Sequence, residues 1–152
     1  MTNARLGLTA LLAVVVMSSA HARAGQTPKV APCEDAHVGI SSLIAPVANN
    51  SRSFYDGRVM VYAVDQGEPV CCSYGVTIVM ALPEADGGGL QCIAAMGASG
   101  LALERLTTSY DAARGLLLSI PARWHDADTD TYRDGRPFKL RINMAAGTVT
   151  AE

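Results

Sequence analysis

From Arg58 onward the chain is cut into short apolar runs separated by Gly- and Asp-containing breaks, and within the runs polarity alternates with a period near two. That period puts successive side chains on opposite faces of an extended strand, so the pattern predicts β-sheet and disfavours amphipathic helix. Arg58 to Asp65, opened by the Asp56-Gly57 turn, has Val59, Val61 and Ala63 on one side and Met60, Tyr62 and Val64 on the other. With both sides apolar, it reads as a central strand. Val76 to Leu82 is rich in β-branched residues, and Leu90 to Met96 resumes after Pro83 to Gly89, giving a hairpin with a long tip.

A second hairpin is centred on Tyr110-Asp111-Ala112-Ala113-Arg114-Gly115-Leu116, with an acid opening the turn and a glycine where a positive φ is needed. Pairing Tyr110 with Leu116 sets Leu106 opposite Ile120 and Thr107 opposite Ser119. Leu106, Tyr110, Leu116, Leu118, Ile120 and Ala122 then form the core side, while Arg105, Thr107, Ser109, Ser119 and Arg123 face water. A last hairpin runs from Pro137 to Met144 and returns over Thr148 to Ala151, with Phe138, Leu140, Ile142 and Met144 inward and Lys139, Arg141 and Asn143 outward. Val38 to Val47 fits both a helical face and alternation, and is read as leaning to strand. About seven or eight strands at this spacing predict an all-β domain over residues 36–152, a small antiparallel sandwich or barrel.

The N-terminus carries a different signal. Arg5 precedes an apolar run from Leu6 to Met17, and Ala20 and Ala22 are small residues two apart, the pattern of a cleavable secretion signal over residues 1–22. The run is too short to span a bilayer, and Cys33 lies too far on for a lipid anchor, so no stable membrane anchor is expected. Residues 23–35, with Gly, Thr and two prolines, read as a flexible lead-in pinned at Cys33. Export implies a periplasmic or secreted protein. Of 12 Lys and Arg the signal removes Arg5, which leaves 11 basic against 14 acidic residues and argues against nucleic acid as a partner. With one Trp, five Tyr and two Phe, a stacked-ring sugar platform is not expected.

Four cysteines, Cys33, Cys71, Cys72 and Cys92, predict two disulfides in such a compartment. Joining the neighbours would close a small strained ring, so the expected pairing gives Cys33 and Cys92 one neighbour each. The first hairpin resists this, because Cys92 falls opposite Met80 and Cys72 then lies about 25 Å further along at about 3.3 Å per residue. Either the chain bends at Ser73-Tyr74-Gly75, the preferred expectation, or Cys33 takes Cys92. A structural role is expected for the bridges, since a Cys-x-x-Cys redox motif is lacking.

No constellation names a reaction. Asp126, Asp128 and Asp130 begin like a calcium loop spanning Asp126 to Asp134, but Thr131 and Pro137 stand where Gly and a bidentate Glu belong. His125, His37 and nearby carboxylates would serve a small hydrolase or isomerase only if gathered in one pocket. Arg105, Arg123, Lys139 and Arg141 would form a basic patch if the last two hairpins share a sheet. The leading expectation is an exported β-domain, leaning non-catalytic and without cofactor, that binds a protein or cell-envelope component or has a structural role. A calcium-stabilised domain and a small enzyme around His125 are the alternatives.

Overall fold

The alternating runs do become antiparallel sheet. The computed structural model describes residues 27–67, 71–82 and 87–152, so the expected signal segment lies outside the described residues, as does most of the first hairpin's tip. The strands are β1 (Lys29–Pro32), β2 (Ser51–Phe54), β3 (Val59–Asp65), β4 (Tyr74–Ala81), β5 (Leu90–Ala98), β6 (Gly100–Leu101), β7 (Thr107–Asp111), β8 (Gly115–Ile120), β9 (Ala122–Asp126), β10 (Thr131–Asp134), β11 (Phe138–Asn143) and β12 (Thr148–Ala151). They form a five-stranded sheet in the order β1-β5-β4-β3-β2, a three-stranded sheet β10-β9-β6 and a four-stranded sheet β12-β11-β8-β7. Among the described residues, no helix is long and apolar enough to cross a membrane.

Register explains the core. Val61, Ile78 and Ile93 lie abreast across β3, β4 and β5, as do Ala63, Val76 and Ala95, so one face of the five-stranded sheet is continuously apolar. That face packs against Leu116, Leu118 and Ile120 of β8, Phe138, Leu140 and Ile142 of β11, and Ala122 and Trp124 of β9. The single tryptophan is therefore a core residue: it stacks on Phe138, and its Nε1–H donates to the Arg136 carbonyl at 2.9 Å. The opposite face of the same sheet carries a second, smaller cluster of Cys33, Val38, Val64, Ala94 and Met96. Two covered faces account for a β3 that is apolar on both sides.

The segment over that second face corrects the reading of Val38 to Val47. Its only regular element is a 3-10 turn at Ile40–Ser42, and its strand-like pairing with the sheet is limited to an isolated bridge between Leu43 and Val64. The apolar residues there serve different surfaces, with Val38 buried and Ile40 88% exposed, and so never develop a strand's alternation. Part of the expected lead-in also differs: Lys29–Pro32 is an edge strand paired antiparallel to β5, whose short, proline-ended sequence has no alternation to read.

In the second hairpin Tyr110 does pair with Leu116 and Thr107 with Ser119. Asp111 Oδ1 accepts from the Ala113 and Arg114 N–H groups, and Gly115 has φ +92°. Leu116, Leu118, Ile120 and Ala122 are buried as expected, but Tyr110 is 66% exposed. β7 is an edge strand exposed at every position, so parity alone does not bury Tyr110.

The cysteines pair as Cys33–Cys92 and Cys71–Cys72, which corrects the preferred expectation. Val79 lies opposite Cys92, one residue from the expected register, and Cys72 precedes β4 altogether. The bend exists, as a register shift between Tyr74 and Gly75, but it does not return the neighbours to Cys92. Cys33 instead follows β1 directly beside Cys92, its N–H donating to the Cys92 carbonyl at 3.1 Å.

The Cys33–Cys92 bridge spans 59 positions, and in the chain-entropy model a loop of that size is worth about 4 kcal/mol. Replacing both residues by alanine should lower unfolding free energy by about 2–4 kcal/mol in urea titration. Gly115→Ala should also destabilise strongly, by more than about 2 kcal/mol, because a Cβ there would meet the Ile142 carbonyl oxygen as well as a positive φ. At Gly57, where a Cβ meets nothing, alanine should cost less than half as much in the same titration.

Candidate functional site

Pro121 shapes a concavity at the junction of sheets. It has no N–H to continue the β8 ladder, and after it the chain leaves the four-stranded sheet to become β9 of the three-stranded one. Ala102 N–H donates to the Pro121 carbonyl at 3.0 Å and Ser99 N–H to the Arg123 carbonyl at 2.9 Å, which fixes β6 along β9. Between these elements, the start of β4 and the end of β10 lies a groove of about 510 Å³, within the range of small-ligand sites. Tyr74, Ser99, Arg105, Arg123 and Asp134 give it polar groups, and Leu101, Ala102, Pro121 and Pro137 give it apolar walls. A side pocket of about 230 Å³ shares Tyr74, Ser99 and Arg123 and is completed by Cys71, Cys72, Ser73 and Tyr132.

The polar groups of this region are anchored from the sheet. Asp65, ending β3, accepts through Oδ1 from Ser73 Oγ at 2.6 Å and from Gly67 N–H at 2.8 Å, while Gln66 N–H donates to the Ser73 carbonyl. The Ser73 hydroxyl, more than the Gly67 amide, holds the Asp65 carboxyl below the ordinary carboxylate value despite burial. Its negative charge in turn pushes the Tyr74 hydroxyl above the ordinary phenol value, with partial burial adding to the effect. Tyr74 thus stays neutral, its hydroxyl committed to Asp65. The Ser99 Oγ is buried and finds no hydrogen-bond partner among the described residues. An unmade bond of this kind costs about 1–3 kcal/mol.

Of the four basic residues expected to form a patch, the structure brings Arg105 and Arg123 to this groove and places Lys139 and Arg141 elsewhere. The last two hairpins do share a sheet, but Arg123 stands on β9 beyond Pro121 and Arg105 on a 3-10 turn, Leu103–Arg105, ahead of β7. Arg123 is exposed and pairs with no carboxylate among the described residues, although Asp134 lies opposite it on β10. Arg105 is exposed and only 3.8 Å from exposed Glu104, a contact of little energetic weight. Arg141 is nearly buried and grips Glu152 with Nε and Nη2, each at 3.0 Å; Arg114 bonds the same carboxylate. It is a clasp between β11 and the chain after β12.

The aspartate-rich turn joins β9 to β10. Asp126 Oδ1 accepts from the Asp128 N–H at 3.1 Å and its Oδ2 pairs with Arg133 at 3.1 Å, while Asp130 Oδ1 lies 2.9 Å from His125 Nε2. Two of the three carboxylates are thus engaged by the protein, and no group of three His, Cys, Asp or Glu is placed to hold a metal among the described residues. His125 also packs on Tyr132, with centroids 5.4 Å apart. His37 sits at φ 54° in the turn after β1, and neither histidine lines the groove. The missed features are Tyr74 and Ser99 as groove wall and the adjacent cysteines as wall of the side pocket. Tyr74 read as loop, and nothing local in the sequence places Ser99 beside Arg123.

The Glu152 carboxyl is held below the ordinary value chiefly by the Arg141 hydrogen bonds. A carboxyl lowered by folding stabilises the fold above its unfolded pKa, and that contribution disappears as pH falls through the folded value. Glu152→Gln should therefore reduce stability at pH 7, with the difference from the parent closing towards pH 3 in denaturant titrations. Comparison with protein-family models, with curated protein sequences and with solved structures finds no match, so the geometry of the groove carries the functional reading.

Proposed function

We propose that this is an extracytoplasmic binding domain, periplasmic or secreted, that captures an anionic surface of a protein or cell-envelope component in the groove between β6, β9 and the start of β4. The observation that carries the reading is the convergence of Arg105 and Arg123 on a groove with apolar walls. Arginine suits this role because its planar fork matches a carboxylate or phosphate in two bonds. The export pattern of residues 1–22 and four cysteines without a free thiol support the compartment. The sheets enclosing one main core suit a small sandwich, a rigid frame on which to mount such a groove.

The test is retention from a native cell-envelope extract on immobilised mature protein. The parent should retain a component that Arg105→Glu/Arg123→Glu loses at least tenfold and that Lys139→Glu retains, since Lys139 does not line the groove. Salt should weaken retention as it screens the arginines. Equal retention by the parent and the double variant would overturn the reading, and so would loss on Lys139→Glu alone.

A further inference from the structure

Cys71 and Cys72 form a bridge that staples nothing. Cys33–Cys92 closes a separation of 59 residues and is packed in the second apolar cluster, whereas the neighbours have a separation of 1 and remove almost no freedom from the unfolded chain. Adjacent Cα atoms lie 3.8 Å apart, short of the span of about 4.4–6.8 Å usual for bridged residues, and a bridge held outside that span is easier to reduce. Both residues are half-buried on the wall of the side pocket, where an incoming thiolate reaches them. The backbone adds a second contrast, since Cys72 sits at φ 69°, in the left-handed region that a residue with a Cβ seldom adopts.

We propose that Cys71–Cys72 is a reversible redox site, opened by a dithiol reductant, and that its state sets the shape of the groove. One thiolate of the reductant attacks a cysteine Sγ, the S–S bond breaks, and the second Sγ leaves as a thiolate that takes up a proton. The reductant's other thiolate then attacks the mixed disulfide and departs as the oxidised form. Two electrons and two protons have then passed to the protein, which holds two thiols. Arg123, on the same pocket wall, favours the departing thiolate. Release of the ring lets Cys72 leave its left-handed conformation, while Ser73 stays fixed to Asp65 and Gln66. The movement is thereby felt at the side pocket, which shares Tyr74, Ser99 and Arg123 with the groove.

This inference goes beyond the binding reading and stands without any ligand. The oxidised protein is titrated with dithiothreitol, alkylated and mapped by mass spectrometry, with amide NMR spectra recorded at each step. Cys71 and Cys72 should both become alkylated at a reductant concentration at least tenfold below that needed for Cys33 and Cys92, and shifts should concentrate at Ser99, Gly100, Arg123 and Tyr132. Removing the reductant should reverse them. Cys71→Ser/Cys72→Ser, which leaves the other bridge in place, should show the shifts of the reduced parent and no response to low reductant. Reduction of both bridges together, selective reduction without shifts at the groove, or a double variant with the spectrum of the oxidised parent would each overturn the proposal. Loss of envelope retention by every form, with selective reduction intact, would instead count only against the binding reading.

Discussion

The register of β4 against β5 governs much of what this chain can be. With Val79 opposite Cys92 and the ladder running back to Tyr74, the adjacent cysteines are carried to the far end of the hairpin, out of reach of Cys92. Cys92 is left facing the strand on its other side, where Pro32 pairs with Ile93 and Cys33 follows next. One register therefore selects the disulfide, recruits Lys29–Pro32 as an edge strand, and leaves Cys71–Cys72 beside the groove. The register shift between Tyr74 and Gly75 completes the arrangement where the chain enters β4. Gly75 is required there, since a Cβ would run into the Ala95 carbonyl oxygen and Met96 sulfur.

The two faces of the five-stranded sheet divide the work. One packs into the main core against β8, β9 and β11, and the other is closed by the 33–43 segment, whose Ala36 carbonyl accepts from Gln66 Nε2. Because Gln66 also donates its N–H to Ser73, the same corner of the fold orders the second apolar cluster and fixes the exit from the adjacent cysteines. Stability and site geometry thus share residues. The groove inherits rigidity on its β4 side from Asp65 and Ser73, and on its β9 side from backbone bonds to Ser99 and Ala102. Preorganisation of this kind lowers the ordering cost of binding.

What was legible in the sequence follows from how local each determinant is. β3, β4, β5, β8 and β11 are long enough to show their faces, and Asp111 and Gly115 announce their turn chemically, so elements and one hairpin register could be read directly. β1, β6 and β10 have at most four residues each, and no periodicity survives at that length. Their pairing is decided by partners far along the chain. The basic residues fail to form one patch for a related reason. Alternation assigns Arg123 and Lys139 to outward faces, but only Pro121, by sending the chain to another sheet, decides that these are different faces. Ser99 meets Arg123 through strand pairing at a separation that no short motif records.

The claim on which all of this rests is the pairing of the four cysteines, and the direct measurement is a peptide map of the unreduced protein after cleavage that includes Glu84, between Cys72 and Cys92. The account predicts that the Cys33 and Cys92 peptides travel as one linked species, while Cys71 and Cys72 stay in a single peptide two hydrogens lighter than its reduced form. A linked species joining the Cys71-Cys72 peptide to Cys33 or to Cys92 would contradict it.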